Sequence, residues 1–173
     1  IMGHVWQEDA RPVGRFHLVD INRSGLSGWT TVVGIPGDPP RRFAEAIVDT
    51  MDNQVRAAQY ARECTDKIAS GDFNDATQRA NRAFDMYANH PSASMCAEVI
   101  AEATQQPVDS QIAYLERAVA GDSLLTRGWE RLGRMYQQAG DSVRSLAAFS
   151  TQSRLDRTNR ELRTGVVAGA ITL

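Results

Sequence analysis

The sequence predicts a mainly α-helical chain: an α-solenoid of about three helical hairpins and a final helix, preceded by a small α+β piece. Three observations carry this expectation. Composition changes at Pro40, where β-branched, aromatic, Gly and Pro residues give way to Ala, Arg, Gln, Glu and Asp. Beyond that point apolar residues recur at helical spacing, broken only by short polar or Gly-containing turns. The helix–turn–helix pattern also returns at roughly 34 residues, with Ala83 mapping onto Ala118 and Leu115 onto Phe149.

A chain of 173 residues accommodates one ordinary domain, or a small domain with a short repeat array. Apolar residues make up 42% and charged residues 23%, a balance that supports a packed core. The net charge of −2 gives no general attraction to nucleic acid or anionic lipid. No apolar run reaches bilayer length, so no membrane span is expected; the stretch from Val166 to Leu173 is too short. The chain opens on Ile1 and closes on what reads as an interrupted helix, as expected of a piece of a longer protein.

Residues 1–56 form the expected N-terminal piece. Gly14–Ile21 reads as one strand, with Phe16 and Leu18 on one face and His17, Val19 and Ile21 on the other. Residues 22–28 read as a turn and Trp29–Ile35 as a second, antiparallel strand. A lone hairpin is marginal in water, so the strands need a helix or more sheet against them. Pro36 to Pro40 ends the sheet and opens a helix, with Asp38 as the expected cap. Phe43, Ile47, Met51 and Val55 then fall every fourth residue and predict an apolar stripe over the sheet, a ββα or βββα arrangement.

Residues 57–173 form the expected repeats. The hairpins are 57–69 with 74–87, 92–104 with 109–120, and 126–139 with 142–155; a further helix is expected from Asn159 or Arg160. Short connections at Ser70-Gly71-Asp72, Gln105-Gln106-Pro107 and Ala139-Gly140-Asp141 make each pair antiparallel neighbours.

The third hairpin carries the sharpest motif. Trp129, Leu132, Gly133 and Tyr136 stand at W-x-x-L-G-x-x-Y spacing, followed by Ser145 and Phe149 at small and aromatic positions. This resembles the tetratricopeptide repeat (TPR). The first hairpin matches in Ala76, Ala80 and Ala83; the second is weaker, with Leu115 and Ala118 in place but Gln111 at a small position. Ala88, Ser123 and Arg157 replace the family's closing Pro. The resemblance implies that Trp129, Leu132, Gly133, Tyr136, Phe149, Ala76, Ala83, Leu115 and Ala118 fill the seams between helices. It also implies a concave face lined by first helices, bearing Arg127, Glu130, Arg134 and Gln137 in the third unit and Ala93, Cys96, Ile100 and Ala103 in the second. The N-terminal piece is similar to the tail of a TolB-like α/β domain of bacterial envelope proteins, on its Gly-Arg-Phe-His-Leu-Val-Asp strand, Trp29 and Pro-led helix.

Motifs for chemistry are absent. His4, His17 and His90 stand at no metal-ligand spacing, and no nucleophile motif or phosphate loop occurs. Neither catalytic residues nor a metal or cofactor is therefore expected. Cys64 and Cys96 sit in first helices of successive hairpins, so either a bridge or two buried thiols fits them. The resulting expectation is a non-enzymatic scaffold that binds a peptide or neighbouring subunit on its concave face. The alternatives are a structural subunit of a larger or self-assembled complex, and the regulatory region of a longer enzyme. A bridge and the TolB-like resemblance point to a bacterial, extracytoplasmic setting (periplasm or cell surface); a cytoplasmic one is the alternative.

Overall fold

Among the described residues the first forty form three strands, and the sequence from Pro40 onward forms six helices. The computed structural model describes residues 2–20, 25–156 and 166. The strands are β1 (Met2–Glu8), β2 (Arg11–Asp20) and β3 (Gly25–Val33), in an antiparallel sheet of order β1-β2-β3. The helices are α1 (Pro40–Ala69), α2 (Phe73–Met86), α3 (Pro91–Ala103), α4 (Val108–Gly121), α5 (Thr126–Gln138) and α6 (Ser142–Leu155). The further helix expected from residue 159 lies outside the described residues, except that Val166 is helical.

The sheet differs from the expected hairpin by one strand. β1 escapes the sequence pattern because both its faces are exposed, so no apolar alternation marks it. Asp9 and Ala10, both at positive φ, join it to β2 in a two-residue turn. β3 also begins earlier than expected, at Gly25. Phe43 of α1 lies against Gly14 and Gly34, and buried Thr30 and Val32 share the sheet face that the helix covers.

α1 is one unbroken helix of 30 residues, running through the point near residue 56 where the N-terminal piece gives way to the repeats. Its sequence from Arg41 to Ala69 contains no Gly or Pro to stop it. The stripe at every fourth residue drifts by about 40° per step around a helix. Val55 is therefore carried out into solvent, and the buried line continues instead through Gln54, Ala57, Ala61 and Cys64. Asp38 pairs with Arg42 at 3.4 Å rather than capping; the cap position belongs to Pro39.

The first and third hairpins turn by the same device. Gly71 and Gly140 take left-handed φ of 78° and 80°. Asp72 and Asp141 then cap α2 and α6 by accepting the backbone N–H of Asp75 and Arg144. Three apolar clusters form the seams. Ala57, Ala61, Ala83 and Ala93 join α1, α2 and α3. Cys64, Ala76, Ala80, Cys96 and Ile100 join the same helices farther along, and Ile112, Leu115, Val119, Leu132, Tyr136 and Ala148 join α4, α5 and α6. Ala118 is buried beside them.

The motif residues occupy the seam. A side chain at Gly133 would meet the Phe149 ring at 2.8–2.9 Å, so only a bare backbone allows α6 this close. Ser145 donates to the Gly133 carbonyl across the same contact. The Tyr136 hydroxyl donates to Glu116, and burial with that carboxylate pushes it up to about 12. Trp129 is half-buried against the third cluster, and its indole N–H donates to the Ser123 carbonyl at 2.9 Å.

His90 caps α3, its Nδ1 accepting the Ala93 N–H at 3.3 Å, and only 1% of it is exposed. Burial pushes the imidazole down to about 4. The fold disfavours the protonated ring, so the folded state binds fewer protons than the unfolded one below pH 6.5. The stability from neutral His90 is complete above that pH and lost as pH falls toward 4. The loss amounts to about 2–3 kcal/mol by pH 4.5. Urea denaturation at pH 7.5 and 4.5 checks this: His90→Asn, which keeps a capping acceptor, should lose that much less stability on acidification than the parent.

Candidate functional site

α3 packs beside α1, and α5 is joined to α3 through α4 and by side chains that reach across from Arg131. On α5, Arg127, Glu130 and Arg134 are spaced by three and four residues and so share one stripe. All three line a single open depression of ≈ 560 Å³, together with Arg131, Met135 and Gln138 of α5 and Glu102 of α3. Gln137 is exposed but lies outside the residues lining it.

Charge is arranged unevenly within the depression. Arg131 Nη2 donates to Glu98 Oε1 at 2.6 Å and to Glu102 Oε2 at 2.7 Å, a fork that ties α5 to α3. Glu98 is fully buried, and burial raises its carboxyl while Arg131 pulls the other way. Among the described residues, its second oxygen and Arg131 Nε have no hydrogen-bond partner. Arg134 donates to Glu130 at 2.6 Å, one turn earlier on the same helix. Arg127 is exposed and, among the described residues, forms no hydrogen bond or close ion pair with a carboxylate, although its charge helps to pull the Glu98 carboxyl down. The site thus offers, among the described residues, one guanidinium without a hydrogen-bonded carboxylate, Arg127, beside a surface pair within α5. Arg131 is spent on holding two helices together.

The apolar half of the expected groove is not there. Ala93, Cys96 and Ile100 are buried in the first two seams and present nothing to a partner. The reason is that α3 packs on α1, α2 and α4 at once, so its apolar positions are consumed. Ala103 alone of that set is exposed, and half-buried Met135 supplies apolar surface in the depression. Sequence reasoning missed Glu98, Glu102 and Arg131. A signal existed: Arg131 stands 33 residues from Glu98, one repeat period, as expected of an ion pair between equivalent helices.

Cys64 and Cys96 are joined by a disulfide, with Cα atoms 6.4 Å apart, linking α1 to α3. Among the described residues no group of His, Cys, Asp and Glu is arranged to hold a metal ion, and no helix is long and apolar enough to cross a membrane.

No family model and no curated protein sequence matches the chain. Solved structures do share its fold. The first TPR domain of Spaghetti (RPAP3), solved with an HSP90 peptide, superposes with a TM-score of 0.56 at 12% identity, covering 68% of this chain and 92% of that one. The MamA protein gives 0.55 at 13% identity, over 74% and 68% of the two chains. The Yersinia enterocolitica secretion chaperone SycD, solved with a peptide of the translocator YopD, gives 0.53 at 16% identity, over 64% and 86%. The helical part of this chain has the tetratricopeptide-repeat fold.

Proposed function

We propose that the chain is a non-enzymatic protein-interaction module that holds an extended segment of a partner protein in the depression between α3 and α5. One observation carries the reading: Arg127, Glu130 and Arg134, the groove residues expected from the repeat motif, line one depression together. The residues there suit a peptide that presents a carboxylate to Arg127, lays its backbone against Glu130 and Gln138, and rests an apolar side chain on Met135. The peptides held by the RPAP3 and SycD domains support the same reading. Polar side chains set both orientation and affinity, since the apolar wall expected on α3 is buried.

Peptides selected against the chain from a random display library test this. Arg127→Glu with Arg134→Glu should weaken them by roughly tenfold or more, because the first removes the carboxylate's partner and the second adds a repelling charge to the same depression. Selected peptides that bind the double variant as tightly as the parent would rule the depression out.

A setting outside the cytosol belongs to the same proposal, supported by the Cys64–Cys96 disulfide, because reducing compartments keep such thiols free. Two titratable thiols in protein isolated without reductant would count against it.

A further inference from the structure

The sheet ends, among the described residues, in an unpaired edge, β1. Among the described residues, β1 pairs only with β2, and residues 3–10 are all exposed. The two-residue turn makes Glu8↔Arg11 a hydrogen-bonded pair, so bonding to β2 alternates through Trp6 and His4. Gly3, Val5 and Gln7 consequently turn their backbone N–H and C=O outward. Natural edge strands carry Lys, Pro or bulges that block pairing; β1, Met-Gly-His-Val-Trp-Gln-Glu, carries none of them. Val5 is 57% and Trp6 36% exposed.

We infer that β1 pairs antiparallel with β1 of a second copy, making one continuous six-stranded sheet. The occupant follows from the side chains. On the face opposite α1, the register sets Glu8 beside Arg11, Trp6 beside Val13 and His4 beside Arg15, with Val33 next to Val13. A two-fold axis at Trp6 places Trp6 against its own copy and His4 against the copy's Glu8. The apolar row then runs unbroken across both sheets, from Val33 through Val13 and Trp6 to the same residues of the copy. Each Glu8 carboxylate lies between Arg11 on one side and the copy's His4 and Arg15 on the other. Charge and apolar surface are therefore self-complementary in one register, and the outward Val5 and Gln7 groups supply its backbone hydrogen bonds. His4 already stacks on Trp6 with ring centres 5.1 Å apart, which prepares the aromatic centre of the contact.

Sedimentation equilibrium of the full chain from micromolar to submillimolar concentration tests the inference. The parent should dimerise. Val5→Pro removes only an outward N–H, a change that an edge strand tolerates, and should leave a folded monomer. Glu8→Lys, on an exposed position, should weaken the dimer, and His4→Glu with Glu8→Lys should restore it by setting a new opposite-charge pair across the axis. Trp6→Cys should cross-link two chains under mild oxidation, since residues facing each other across the axis bring their Cα atoms within bridging distance. A parent that stays monomeric throughout overturns the inference, as does a dimer that neither Val5→Pro nor Glu8→Lys weakens. The peptide-binding proposal stands or falls separately, because the depression on α5 shares no residue with this edge.

Discussion

Arg131→Met is expected to lower the unfolding free energy at neutral pH by about 3–5 kcal/mol, the usual cost of stranding a buried charge. Glu98 is fully buried and Arg131 is its hydrogen-bond partner, so the variant leaves a carboxylate without compensation inside the α3–α5 seam. The pH dependence identifies the cause. Burial already raises the Glu98 carboxyl, and loss of the guanidinium raises it further. A group raised in the fold costs stability as pH climbs above its unfolded value and returns that stability on acidification. Urea denaturation of Arg131→Met should therefore show a smaller deficit at pH 5 than at pH 8. Combining it with Glu98→Gln should recover most of the loss, since an uncharged side chain needs far less compensation. A deficit below about 1 kcal/mol, unchanged with pH, would mean that the fork contributes little to the seam.

Replacing both Cys64 and Cys96 with Ala should cost about 3–4 kcal/mol, by the entropy of the chain that the bridge closes in the unfolded state. The sequence separation is 32, long enough for a substantial term and short enough to lie within one repeat period. Both sulfurs sit in the seam among Ala76, Ala80 and Ile100. Mild reductant should accordingly act slowly on the folded protein and quickly in urea. Equal denaturation midpoints for the oxidised parent and the double variant would show that packing alone sets the relation of the first two hairpins. The expected loss is a large part of the stability of a domain of this size.

Much of the helical fold could be read without coordinates because repeat packing is written locally. Gly133, Tyr136 and Phe149 stand at the repeat motif's spacing in the third hairpin, and each meets a neighbour within its own or the adjoining hairpin. Asp72 and Asp141 follow Gly71 and Gly140 for equally local reasons of capping and left-handed φ. The charged stripe of the depression was legible through the repeat resemblance, which implied Arg127, Glu130, Arg134 and Gln137 as groove residues; the first three line the depression and Gln137 does not. Ala93 and Ile100 were misplaced because an apolar residue on a first helix can face either groove or seam. The choice depends on how many neighbours that helix has.

The sequence by itself determined the helical hairpins, their order and the residues that seal them, since helix period, turn chemistry and repeat length are properties of short stretches. Only the tertiary structure decided that β1 is a strand, that α1 runs unbroken from sheet to repeats, and that Arg131 is committed to Glu98 and Glu102. Each of these depends on partners distant in the chain. An exposed edge strand takes its form from the strand beside it, and a buried carboxylate selects among the surrounding guanidiniums by proximity, which sequence spacing alone does not specify.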